Sequence, residues 1–185
     1  LAHFLEHMAF NGTKNFPGDD KGLGVIPWCE TVGIKFGTNL NAYTSIDETV
    51  YNISEVPTTN PGLLDTCLLV LHDWSHYLLL VDEEIDGERG VISEEWRTRR
   101  NAGFRVRNQI MPVLLKDSKY AQRDVIGDLN IIKNFKYQTL RDYYHKWYRP
   151  DLQAIAVVGD FDVDQMEKKV KELFSKIPTP VNPAK

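Results

Sequence analysis

The sequence has no apolar run long enough to cross a bilayer; its longest hydrophobic stretches are broken by His, Asp or Glu. Membrane insertion is therefore not expected. Nor is there an excess of positive charge. Twenty-two Lys and Arg stand against 26 Asp and Glu, for a formal net charge of -4, which implies no general affinity for nucleic acid or anionic membranes. Cysteine is scarce. Cys29 and Cys67 could pair, but free buried thiols are the expectation. No internal repeat is present. The chain also lacks an initiator methionine, a signal segment and a lead-in to its first helix, which would start at Leu1 without an N-cap. It is expected to be an internal piece of a longer protein, with any targeting sequence outside it.

What is present is an ordinary globular composition, with 42% hydrophobic and 26% charged residues in 185. That suffices for a buried core in one fair-sized domain or two small ones. A first helix is expected to reach about Phe10, where Asn11-Gly12 ends it, and a loop holding Pro17 and Gly18 continues through Asp20. Asn11-Gly12-Thr13 is formally a glycosylation acceptor, read here as a helix-ending turn. A short helix is expected around Pro27 to Val32. Residues 39–44 and 48–54 are rich in aromatic and β-branched side chains and read as an antiparallel pair of strands. Asn60-Pro61 starts a helix of about eighteen residues with a Leu-rich apolar stripe. Asp82 is expected to cap a long helix whose acidic start and basic end complement the helix dipole. Gly103 is a candidate break, and Pro112 ends or kinks the next helical stretch. Beyond an irregular connector, a helix over Tyr137 to Trp147, a buried strand over Leu152 to Gly159 and a helix capped by Asp162 complete the order. The order implies an α+β fold, a partly antiparallel sheet with helices packed on it.

The chemistry is concentrated at the start. His3, Glu6 and His7 form His-x-x-Glu-His. Positions four apart lie one turn above each other on a helix, so both imidazoles can hold one metal ion while Glu6 projects toward the same face. Two imidazoles on zinc and a carboxylate to accept a proton from water are the minimum kit for metal-assisted hydrolysis. The same residues would also suit an ordinary amphipathic helix. His72 and His76 are a second pair four apart, but no glutamate accompanies them at the motif spacing, and they read as a solvated face. A catalytic zinc needs a third protein ligand. The long acidic helix offers Glu83, Glu84, Glu88, Glu94 and Glu95. Glu88 and Glu95 are seven apart and share a face, whereas Glu94 points roughly 100° away. Spacing favours the Glu88/Glu95 face without choosing between its members.

The stretch His3-Phe4-Leu5-Glu6-His7-Met8-Ala9-Phe10-Asn11-Gly12-Thr13 resembles the opening of the M16 (pitrilysin/insulinase) zinc metallopeptidases, with a bacterial flavour. Leu40-Asn41-Ala42-Tyr43-Thr44-Ser45, Glu88-Arg89-Gly90-Val91-Ile92 with Glu94-Glu95, Tyr148-Arg149-Pro150 and Val158-Gly159-Asp160 resemble that family's later landmarks, in order over almost the whole chain. The resemblance implies the LuxS/metallohydrolase-like αβ domain of these peptidases over residues 1–178, truncated at its N-terminus, and a linker over 179–185. It implies Zn2+ bound by His3, His7 and Glu95, catalysis by Glu6 as general base, and Glu88 supporting the site from behind. It also implies peptide substrate paired along the strand at Asn41 and Ala42. The interval from His7 to Glu95 is longer than is usual in the family. The extra residues are assigned to the Gly/Pro-rich stretch between Phe16 and Gly37, where a surface insertion costs little. A second M16 half, in the same chain or a partner subunit, is implied as the opposing wall, so that this chain alone is expected to be weak or inactive. The resemblance also favours a periplasmic or otherwise extracytoplasmic setting. Two rivals stand beside an endopeptidase: a non-catalytic homologue serving as scaffold or partner subunit, and a metal-binding helical module unrelated to proteolysis.

Overall fold

The computed structural model describes residues 1–18, 22–181 and 183. The expectations for Asp19, Asp20 and Lys21 in the first loop, and for Asn182, Ala184 and Lys185 in the tail, lie outside them. Among the described residues are eight α-helices and one two-stranded antiparallel sheet. Helix α1 spans Ala2–Met8 and α2 spans Val25–Thr31; strands β1 and β2 span Leu40–Thr44 and Thr49–Ile53. Next come helices α3 (Pro61–His76), α4 (Asp82–Arg99), α5 (Ala102–Leu114), α6 (Leu129–Asn134), α7 (Tyr137–Trp147) and α8 (Val163–Phe174), with short 3-10 turns before α6 and after α7. No helix among them is long and apolar enough to cross a membrane.

Helix α1 has seven residues and no side-chain cap, too short to persist on its own propensity. Packing holds it instead. Phe4, Leu5 and Met8 are buried in the core, between α4 on one side and the hairpin on the other. The Trp74 indole of α3 donates to the Ala9 carbonyl at 2.8 Å and pins the end of α1. The turn after α1 is fastened by Asp73, which is fully buried. Its carboxylate accepts from Thr13 Oγ1 at 2.6 Å, Asn15 N at 2.7 Å and Asn15 Nδ2 at 2.8 Å. Gly12 adopts φ +131°, and a Cβ there would stand 2.8 Å from the Pro17 carbonyl oxygen, so glycine is required. Thr13 is buried and Asn11 turns inward, so the Asn-Gly-Thr triplet is part of the core-facing turn.

Helix α4 starts one residue differently from expectation. Val81 occupies the cap and Asp82 is the first helical residue, where it pairs with Arg141 of α7. Arg89 reaches from α4 to the Ile132 and Phe135 carbonyls at 2.6 and 2.8 Å, satisfying the end of α6. Gly103 lies inside the first turn of α5, and the break falls before it at Arg100 and Asn101, whose side chain caps Phe104 N. Pro112 lies within the last turn of α5.

Two expectations are corrected. Leu152 to Gly159 forms no ladder with any described segment. Gln153, Ile155 and Val157 are half-buried, while Val158 is 96% exposed. A nearly continuous apolar run reads as a buried strand, and the described residues supply no sheet partner for it. His72 is buried rather than solvated, stacked against Tyr77 and Phe174. The neighbouring Asp73 is likewise buried and satisfied inside the protein.

Candidate metal centre

Three side chains from the two ends of the first 95 residues meet at one point. His3 Nε2 and His7 Nε2 lie 3.3 Å apart, and Glu95 Oε2 lies 3.4 Å from the first and 3.5 Å from the second. Ligand atoms bonded at ~2.0–2.1 Å to a tetrahedral zinc stand about 3.3 Å apart, so this near-equilateral triangle matches one face of such a site. These are the His, Cys, Asp and Glu residues whose ligand atoms the fold gathers into a metal-sized group among the described residues. Glu95 Oε2 is buried and makes no hydrogen bond, which is costly unless a cation or proton satisfies it. Two imidazoles and a carboxylate with an open fourth position are a donor set that suits catalytic zinc. The residues therefore fit the ion.

Helical spacing presents the two imidazoles, and the packing of α1 against α4 presents the carboxylate. Glu94, by contrast, faces solvent and pairs with Arg97 at 2.8 Å. Glu88 does not point at the triangle. Its Oε1 lies 2.7 Å from His7 Nδ1, and its Oε2 accepts from Asn11 Nδ2 at 2.9 Å. That contact turns His7 so that Nε2 faces the shared point, the usual use of a carboxylate behind a ligating histidine. His3 Nδ1 has no such partner among the described residues. Arg99, one turn after Glu95, pairs with its other oxygen, Oε1.

Electrostatics separate the two imidazoles. Burial, and then the neighbouring His7, hold His3 down at about 4, so its ring is neutral near pH 7. For His7, burial also lowers the pKa, but the Glu88 hydrogen bond and nearby carboxylates outweigh it and the net shift is upward. Burial would raise Glu88; its bonds from His7 and Asn11 reverse that and favour the anion.

Glu6 is buried at the rim of the triangle. Its Oε2 accepts from Thr44 Oγ1 of β1 at 2.6 Å. Burial lifts its pKa, opposed by the Thr44 bond. Asn41 and Ala42 do not touch the triangle. They lie on β1, where Ala42 pairs with Tyr51 of β2 and Asn41 faces solvent. Ala42 N donates to Asn41 Oδ1 at 2.9 Å. Apart from a single bridge between Phe36 and Leu40, the other edge of β1 has no partner among the described residues.

Sequence reasoning missed Thr44, Asn11 and Arg99. Asn11 carried a signal, since His3, His7 and Asn11 are four apart in succession. Thr44 carried none, because its contact with Glu6 depends on how the hairpin packs on α1.

Residues 1–117 match the family model for insulinase (peptidase family M16), and residues 134–185 match the model for the peptidase M16 inactive domain. The chain is 38% identical over 176 residues to the probable zinc protease PqqL of Haemophilus influenzae and 39% identical over 178 residues to that of Escherichia coli. Those matches cover 95% and 96% of this chain but 18% and 19% of the relatives, so the chain spans about a fifth of their length. Its structure resembles the first half of the periplasmic protease PqqL from Escherichia coli, with a TM-score of 0.90 at 38% identity over 100% of this chain and 38% of that one. The ferredoxin protease FusC gives 0.88 at 29% identity, over 100% of this chain and 20% of that one. A family model that spans well over half of the chain and takes in the whole ligand triangle settles its membership: the chain belongs to the insulinase family of peptidases, M16.

Proposed function

We propose that this chain is the metal-binding wall of a zinc-dependent endopeptidase that hydrolyses peptides or unfolded polypeptides. The observation that carries the reading is the triangle of His3, His7 and Glu95 with Glu6 held beside it. When bound, zinc supplies Lewis acidity toward a carbonyl and brings the pKa of coordinated water to about 7. The remaining work belongs to the protein. His3, His7 and Glu95 bind the ion. Glu88, steadied by Asn11, holds His7 in the tautomer that presents Nε2. Thr44 anchors Oε2 of Glu6, which leaves Oε1 to take a proton from the attacking water and return it to the leaving amine. Burial raises the Glu6 pKa above the ordinary carboxylate value, the direction that strengthens a carboxylate as a base.

Substrate in this reading lies extended along β1, with main-chain hydrogen bonds at Asn41 and Ala42. An edge with no strand partner among the described residues suits pairing through the peptide main chain. The chain's share of its relatives' length supports a second M16 half as the opposing wall, and a solved relative described as periplasmic supports an extracytoplasmic setting. The test is Glu6→Gln in the longest chain that carries residues 1–185. Zinc stoichiometry should stay at the wild-type level while peptide cleavage falls by at least about 100-fold. Wild-type turnover in that variant would refute Glu6 as the base.

A further inference from the structure

An open cleft of about 670 Å³ adjoins the ligand triangle, between the β1–β2 turn, α5 and residues 120–126. It shares two walls with the centre. Thr44, which anchors Glu6, lines it, and so does Arg99, which pairs with Glu95. A peptide lying across the centre would therefore pass beside this cleft. Its apolar lining includes Phe104, Met111 and Ile126. Its charge is one-sided. Arg99, Arg107 and Arg123 face a single carboxylate, Asp124, among the lining residues. Arg107 and Arg123 are exposed, and their guanidinium groups make no hydrogen bond or salt bridge among the described residues. Asp47 sits beside the cleft with its Oδ1 accepting from Tyr120 Oη, a lining residue, at 2.6 Å.

We propose that this cleft is a specificity subsite for an acidic side chain, Asp or Glu, of the peptide substrate, with Arg107 and Arg123 as the recognising residues. Two uncommitted guanidinium groups present planar donor forks that match a carboxylate. The apolar lining residues suit the methylene stem, and the cleft is open to solvent. The inference rests on the peptidase reading of the adjoining centre, and the experiment separates the two.

Binding is measured by fluorescence anisotropy on the zinc-loaded Glu6→Gln form of the longest chain carrying residues 1–185. The probes are C-terminally amidated peptides that differ only in one run of Glu, Gln or Lys. The Glu peptide should bind about tenfold tighter than the Lys peptide, a gap that narrows with added salt. The Arg107→Glu/Arg123→Glu variant should invert that ratio, and Arg107→Gln/Arg123→Gln should bring it near one. A ratio within one variant cancels any general loss of binding. Equal affinities in the parent, a ratio indifferent to both variants, or preference only for peptides with a free C-terminal carboxylate would overturn the subsite. Cleavage of the Gln peptide by the Glu6-containing protein reports on the peptidase reading separately. Absent cleavage with an intact Glu preference sinks that reading alone; present cleavage without the preference sinks the subsite alone.

Discussion

Glu94 and Glu95 are adjacent in the sequence and opposite in consequence. Glu94 is exposed and pairs with Arg97, while Glu95 is half-buried and aims Oε2 between two imidazole nitrogens. Glu95→Ala should abolish tight zinc binding and Glu94→Ala should leave it unchanged, as read by competition with a chromophoric chelator. Glu88→Gln should fall between them. Its loss frees the His7 ring without removing a ligand, and costs about 10–100-fold in zinc affinity. Asp73 sets the corresponding test for stability. Truncation to Ala leaves the Thr13 hydroxyl and two Asn15 donors without their acceptor. Asp73→Ala should cost about 2–4 kcal/mol, seen as a lower urea midpoint with unchanged slope. None of this was visible in the spacing of Asp73 itself, which reads as a surface acid beside His72. A buried acid is recognisable only from the donors that fold onto it, and here those lie 58 to 60 residues away.

At the scale of elements, what could be read depended on whether the physics was local. The His-x-x-Glu-His helix, the hairpin, the Asn60 cap and the Asp162 cap all came from periodicity and capping chemistry within a few residues. The choice between Glu88 and Glu95 did not, because spacing named a face of α4 and left its members open; the resemblance implied Glu95, and the packing of α1 against α4 brings that carboxylate to the two imidazoles. The segment from Leu152 to Gly159 failed for a different reason. Its nearly continuous apolar run is that of a buried strand, and such a run calls for a partner without locating one. Arg89 illustrates a landmark residue whose work is structural. Two hydrogen bonds to the carbonyls ending α6, with its guanidinium over the Phe135 ring at 4.1 Å, join α4 to α6. Arg89→Leu should destabilise by about 2 kcal/mol and lower hydrogen-exchange protection in α6 more than in the hairpin.

For the whole molecule, an apolar extended segment with Val158 96% exposed is a pairing edge. Residues 1–185 in isolation should self-associate, and Val158→Lys should reduce that association in light scattering. The seven-residue helix that carries the histidines has a larger effect. It is held by contacts with α3, α4 and the hairpin and not by its own propensity, so the candidate ligands His3, His7 and Glu95 come together only when the distant parts of the chain have assembled. A zinc ion held there would staple position 3 to position 95 and favour the native ensemble, so that occupancy and folding would be linked. At a free zinc concentration 100 times its dissociation constant, the ion adds about 2.7 kcal/mol to global stability. The melting temperature should rise with zinc in the wild type and stay flat in Glu95→Ala, so a calorimeter can weigh this site without any peptide being cut.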